Sequence, residues 1–104
     1  MVSPIKKITS FRVKLIADDI VYSGIVETLS ENELYIRAAS KDSTPDLIPG
    51  KTLKVNFHSD SGKEICLFCK IQWSYKTPPY GITDSLGMKI IGTPSYYEEF
   101  FETL

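Results

Sequence analysis

The chain has 104 residues, 42% of them hydrophobic and 24% charged, and its 12 basic and 13 acidic residues give a formal net charge of −1. That length holds one domain with one modest core, and the charge balance lacks the basic footprint that nucleic-acid polymers or anionic membranes demand. No basic stretch leads into an apolar segment and no apolar run approaches a membrane span, so the chain reads as soluble, unsecreted and cytoplasmic.

The first ten residues, MVSPIKKITS, are polar and carry Lys6 and Lys7. They are expected to form a flexible lead-in, which leaves residues 11–104 as a single domain. FRVKLIA then alternates Phe11, Val13 and Leu15 against Arg12 and Lys14, the pattern of a strand with one buried face. Asp18 and Asp19 make a turn. VYSGIVETLS is a second strand and ELYIRA a third, with Leu34 and Ile36 facing away from Tyr35 and Arg37.

A surface loop, ASKDSTPDLIPGK, closes on the turn signal Pro49-Gly50. TLKVNFH follows with Leu53, Val55 and Phe57 inward, and SDSGK turns the chain into KEICLFCKIQW. There Ile65, Leu67, Cys69, Ile71 and Trp73 are expected to share the inner face. A second loop, SYKTPPYGITDS, leads to a last strand, LGMKII. Six short strands of this kind predict a mainly β fold, a closed or nearly closed antiparallel barrel.

TPSYYEEFFETL differs in kind. Thr93 or Ser95 offers an N-cap, Pro94 is a permitted early helical residue, and Ser95 with Glu98 fits a capping box. Tyr97, Phe100, Phe101 and Leu104 fall on one helical stripe, with Glu98, Glu99 and Glu102 on the solvated side. A helix this short needs a docking surface. It is expected to cover the barrel, and the aromatics Tyr80, Tyr96, Tyr97, Phe100 and Phe101 are expected to pack there rather than form a partner surface.

The candidate chemistry is sparse. Cys66 and Cys69 stand as C-x-x-C on a strand, which places them on opposite faces, about 10 Å apart along its axis. That excludes a shared metal or a mutual disulfide, and no helix N-terminus follows to lower a thiol pKa. His58, the single histidine, is read as an exposed end-of-strand residue and leaves a zinc site short of ligands. No nucleophile elbow, phosphate-binding glycine loop or His/Asp/Glu cluster stands out, so no catalytic or metal residues and no resident cofactor are assigned, and the chain is read as a non-enzyme.

The order of the pieces resembles the PilZ-domain family of bacterial modules. LSENELYI, Pro49-Gly50 entering the fourth strand, Ile71-Gln72-Trp73 ending the fifth, Gly87-Met88 in the sixth and the helix from Tyr96 to Phe101 follow that family's sequence of motifs. The resemblance covers residues 11–104. It implies a six-stranded antiparallel PilZ-like barrel with a C-terminal α-helix, and a role in cyclic di-GMP signalling.

Family members that bind cyclic di-GMP use an R-x-x-x-R motif and a [D/N]-x-S-x-x-G motif, and this sequence departs from both. Arg12 takes the place of the second arginine, Ile8 that of the first, and Lys7 beside it supplies charge without a planar fork. Thr28 stands for the guanine-reading residue, Ser30 is kept, and Glu33 replaces the glycine. A carboxylate about 5 Å from a phosphate costs on the order of 3 kcal/mol at an effective dielectric near 20. A lost bidentate guanine contact costs roughly 1–3 kcal/mol more, so affinity is expected to fall by about three orders of magnitude or more. Asn32 is expected to adopt the left-handed conformation in the glycine's stead.

Two readings follow from the resemblance. In the first, the chain is a cytoplasmic adaptor in bacterial signalling or motility that binds a protein partner through an exposed strand edge, the 39–50 loop or the helix. In the second, it remains a cyclic di-GMP receptor of atypical motif, with Lys6, Lys7 and Arg12 folding over the nucleotide and Ser30 contacting it. A third class, a small barrel binding RNA or single-stranded DNA, has aromatics but no basic groove to go with them.

Overall fold

A strand that alternates apolar and polar side chains must bury one face, and six of them bury most by curling into a barrel. The computed structural model, which describes residues 6–39, 47–76 and 83–104, has that form. Its strands are β1 (Lys7–Ala17), β2 (Ile20–Leu29), β3 (Glu33–Ala39), β4 (Thr52–His58), β5 (Glu64–Lys76) and β6 (Thr83–Ile90), followed by helix α1 (Ser95–Thr103). Neighbours are antiparallel throughout, in the closed order β1-β2-β3-β6-β5-β4. β1 seals the barrel by pairing Val13 through Ile16 with Phe57 through Lys54. β1 meets β4 only over those four residues, so its Lys7–Arg12 stretch is paired with β2 alone.

The expected inner faces form the core. Val13, Leu15, Leu34, Ile36, Leu53, Val55, Phe57, Ile65, Leu67, Cys69 and Ile71 are all buried. Phe11 packs at the barrel end, stacked on Phe57 with ring centroids 5.6 Å apart. β1 begins at Lys7, so the last four residues of the expected lead-in are strand, held by the pairs Lys7 with Leu29 and Ile8 with Thr28. β5 continues to Lys76 and β6 begins at Thr83, so both flanks of the second expected loop are strand as well. Residues 1–5, 40–46 and 77–82, Tyr80 among them, lie outside the described residues.

Trp73 does not share the inner face. Between Ile71 and Trp73 the register against β6 shifts, with Ile71 opposite Met88 but Trp73 opposite Gly87. The extra residue in β5 is a β-bulge, and one inserted residue moves the next side chains to the other face. Trp73 and Tyr75 consequently stand on the outer wall, 40% and 57% exposed.

Two local expectations are also corrected. Asn32 is not left-handed: the non-glycine residue with positive φ among the described residues is Asp18, at 53°, in the two-residue turn between β1 and β2. The 30–33 turn is closed instead by Ser30 N–H donating to the Glu33 carbonyl at 2.9 Å, while the Asn32 carbonyl accepts from Ile90 N–H at 2.8 Å. The capping box does not form either. Pro94 is the N-cap, in an extended conformation, and its own carbonyl accepts from the amides of Tyr97 and Glu98, without a side-chain cap. Tyr97, Phe100 and Phe101 are buried as the stripe predicts, while Leu104 lies past the last turn and is exposed.

The two cysteines part as expected. Cys69 is buried and Cys66 half-buried, both as free thiols. Burial, reinforced by Cys66, pushes the Cys69 thiol up to about 12 from 9.0. In that window the unfolded chain ionises Cys69 and the folded chain does not, so stability present below pH 9 is lost as pH rises toward 12. The slope is at most about 1.4 kcal/mol per pH unit. Urea unfolding between pH 8 and 11 is expected to show this alkaline fall, and Cys69→Val is expected to flatten it.

Candidate functional site

Four of the five residues implied by the family motifs meet at one end of the barrel. The pairs Lys7 with Leu29, Ile8 with Thr28, and Leu29 with Leu34 bring the start of β1 beside the β2–β3 turn, where Thr28, Ser30 and Glu33 stand. Arg12 is not with them. It lies five residues along β1, opposite Ile25, in a shallow outer groove shared with Lys14, Glu27 and Arg37. Arg37 there is 3.4 Å from Glu27.

Ser30 is spent on structure. It is only 6% exposed, and its Oγ accepts the Glu33 amide at 3.0 Å. Its carbonyl accepts the Tyr97 hydroxyl at 2.6 Å, so the serine locks the turn and anchors the helix at once. Burial, reinforced by Cys69, holds the Tyr97 phenol above its ordinary range, consistent with a hydroxyl that stays a donor.

Lys7 is engaged too. Its ammonium donates to the main-chain oxygens of Phe101 at 2.5 Å and Leu104 at 3.0 Å, and it lies 4.4 Å from the centroid of the Phe101 ring. A cation at a helix C-terminus satisfies orphan carbonyls and opposes the negative end of the dipole. The hollow beside it, of about 630 Å³, is lined by Lys7, Glu31, Asn32, Thr93, Glu98, Phe101 and Glu102. Three carboxylates against one committed ammonium make a poor seat for phosphate.

The outer wall next to this end holds residues that motif reasoning did not single out as a site. Tyr35 of β3 and Trp73 of β5 both stand opposite Gly87 of β6. Their rings are 5.9 Å apart, and Tyr75 stacks on Trp73 at 5.5 Å and 19°. Lys6 donates to the Tyr35 hydroxyl at 3.0 Å and lies 4.8 Å from that ring's centroid. That hydrogen bond, with the nearby phenol, raises the Lys6 pKa. Outward alternation at Tyr35 was the readable signal; the bulge that turns Trp73 outward left none.

Gly87 makes the shelf possible. A Cβ there would stand 2.2 Å from Trp73 Cε2, so the indole lies where a side chain would be. Gly87→Ala is expected to lift the indole off β6, with a red shift and quenching of emission from the chain's single tryptophan. The accompanying loss is about 0.5–1.5 kcal/mol, the scale of an aromatic pair.

No protein-family model matches the sequence, and no curated protein does. Among solved structures the chain is similar to the Bacillus subtilis inhibitor of motility (MotI/DgrA), with a TM-score of 0.73 at 8% identity. The likeness is one of fold. It covers 95% of this chain and 46% of that one, so the chain spans about half the length of the motility inhibitor. Among the described residues no helix is long and apolar enough to cross a membrane.

Proposed function

We propose that the chain is a PilZ-like, non-enzymatic module of bacterial signalling or motility that acts in the cytoplasm by binding a protein partner, with weak or no affinity for cyclic di-GMP. The observation that carries this reading is the engagement of Lys7 by the helix end, inside a hollow with Glu31, Glu98 and Glu102. A cation bound to two main-chain oxygens keeps one N–H for a phosphate, and turning fully to that phosphate costs the helix end its cap. The closed six-stranded barrel with its terminal helix, and the fold shared with a motility inhibitor, support the same reading. Isothermal titration with cyclic di-GMP is expected to give no saturable heat at micromolar concentrations; saturation in the low micromolar range would overturn the proposal.

The aromatic shelf favours a second reading, an atypical cyclic di-GMP receptor. Exposed Trp73 and Tyr75 offer faces on which a purine stacks for roughly 1–3 kcal/mol per base, and Lys6 stands beside them. Nucleotide-dependent thermal stabilisation that vanishes in Trp73→Ala would establish it. Its absence in the parent protein excludes it.

A further inference from the structure

The outer wall of β4, β5 and β6 runs away from the barrel-end site, which it meets at Glu33 opposite Lys89. Pairing lays its outward residues in rows. One row joins Ile16, Lys54 and Phe68, and Ile91 adjoins it through its N–H bond to the Phe68 carbonyl at 2.8 Å. The next joins Thr52, Lys70, Lys89 and Glu33. Phe68 is 58% exposed and Ile91 47%. Lys54, Lys70 and Lys89 are exposed, and none of them makes a hydrogen bond or ion pair among the described residues.

Lys70 and Lys89 stand directly opposite one another. Like charges at opposed positions weaken a sheet, and the one carboxylate in their row, Glu33, stands opposite Lys89, which leaves Lys70 between Lys89 and Thr52. The glutamates lining the barrel-end hollow are Glu31, Glu98 and Glu102. A net charge of −1 thus conceals a basic wall with an apolar centre.

We propose that this wall docks an acidic segment of the partner protein. An aliphatic or aromatic side chain of that segment sits on Phe68 and Ile91, and its carboxylates meet Lys54, Lys70 and Lys89. The inference rests on the adaptor reading and names the chemistry of its partner. An apolar centre with a charged rim is the anatomy of a protein interface. The cross-strand lysine pair, unfavourable in the free protein, turns favourable once carboxylates lie over it, and it steers their approach.

The test is an ¹⁵N NMR titration of the full chain, at low salt, with a synthetic peptide of alternating glutamate and leucine. Shifts are expected to concentrate at Phe68, Lys70, Lys89 and Ile91. Affinity is expected to fall at least tenfold in the Lys54→Glu/Lys70→Glu variant. Lys70→Glu alone relieves the lysine pair and is expected to raise the melting temperature by about 2–4 °C, which separates lost binding from lost folding. Absence of shifts at millimolar peptide, shifts confined to the Trp73 wall, or equal binding by the double variant would each overturn the proposal. So would sedimentation of the parent chain, but not of the double variant, with phosphatidylglycerol vesicles, because the wall would then serve a lipid surface. Saturable cyclic di-GMP binding defeats the adaptor reading by a different measurement, so the two failures are distinguishable.

Discussion

Tyr97→Ala is expected to lose about 3–5 kcal/mol of stability, the range for truncating a large buried aromatic. Tyr97 is fully buried, packs against Phe100 and Phe101 at 6.2 and 6.3 Å, and donates its hydroxyl to the Ser30 carbonyl. A domain of this size has about 5–15 kcal/mol in total, so the variant is left near the edge of folding. Without the anchor, α1 has nine residues and little intrinsic stability, so it is expected to undock. Tyr97→Phe keeps the ring and loses the hydrogen bond to a buried carbonyl, for about 1–2 kcal/mol. Urea unfolding of the two variants checks the ordering. A loss below 1 kcal/mol in Tyr97→Ala would show that the helix is not held by this side chain.

Thr28→Asp combined with Glu33→Gly is expected to raise affinity for cyclic di-GMP about thirtyfold or more, on the proposed reading of a site whose motifs have changed. Glu33 is exposed, so solvent screens its repulsion of phosphate to about 1–3 kcal/mol across effective dielectrics of 80 to 20. A restored acceptor for the guanine edge contributes roughly 1–3 kcal/mol. The sum, about 2–6 kcal/mol, corresponds to about one and a half to four orders of magnitude. Titration calorimetry on the double variant measures it. An unchanged, undetectable heat would mean that the engagement of Lys7 and the glutamates of the hollow, rather than these two positions, prevent binding.

Most of the barrel was legible because period-two alternation is a local signal and each strand carries it. Leu53, Val55 and Phe57 fell inward for the reason that placed them there in the sequence. Trp73 was misplaced because a bulge is a property of two strands in register, and KIQWSY does not announce the extra residue. Ser30 was legible as a turn serine, but its three tasks depend on Glu33 and on Tyr97 from the far end of the chain. Lys7 belongs with it. Its partners are at the C-terminal end of α1, and no motif near residue 7 indicates them.

The closed strand order also dictates how the chain must assemble in time. β1-β2-β3 and β4-β5-β6 are each consecutive meanders, and two seams, β1 with β4 and β3 with β6, join them. Those seams unite residues far apart in sequence, such as Ile16 with Lys54 and Glu33 with Lys89. Each half-sheet therefore waits with an open apolar face until its counterpart arrives, a topology that folds on the millisecond-to-second scale. The helix is suited to end that wait. Tyr97 reaches Ser30 in the first meander and Tyr96 reaches the Cys66 carbonyl in the second, so the helix that follows the six strands latches the halves together.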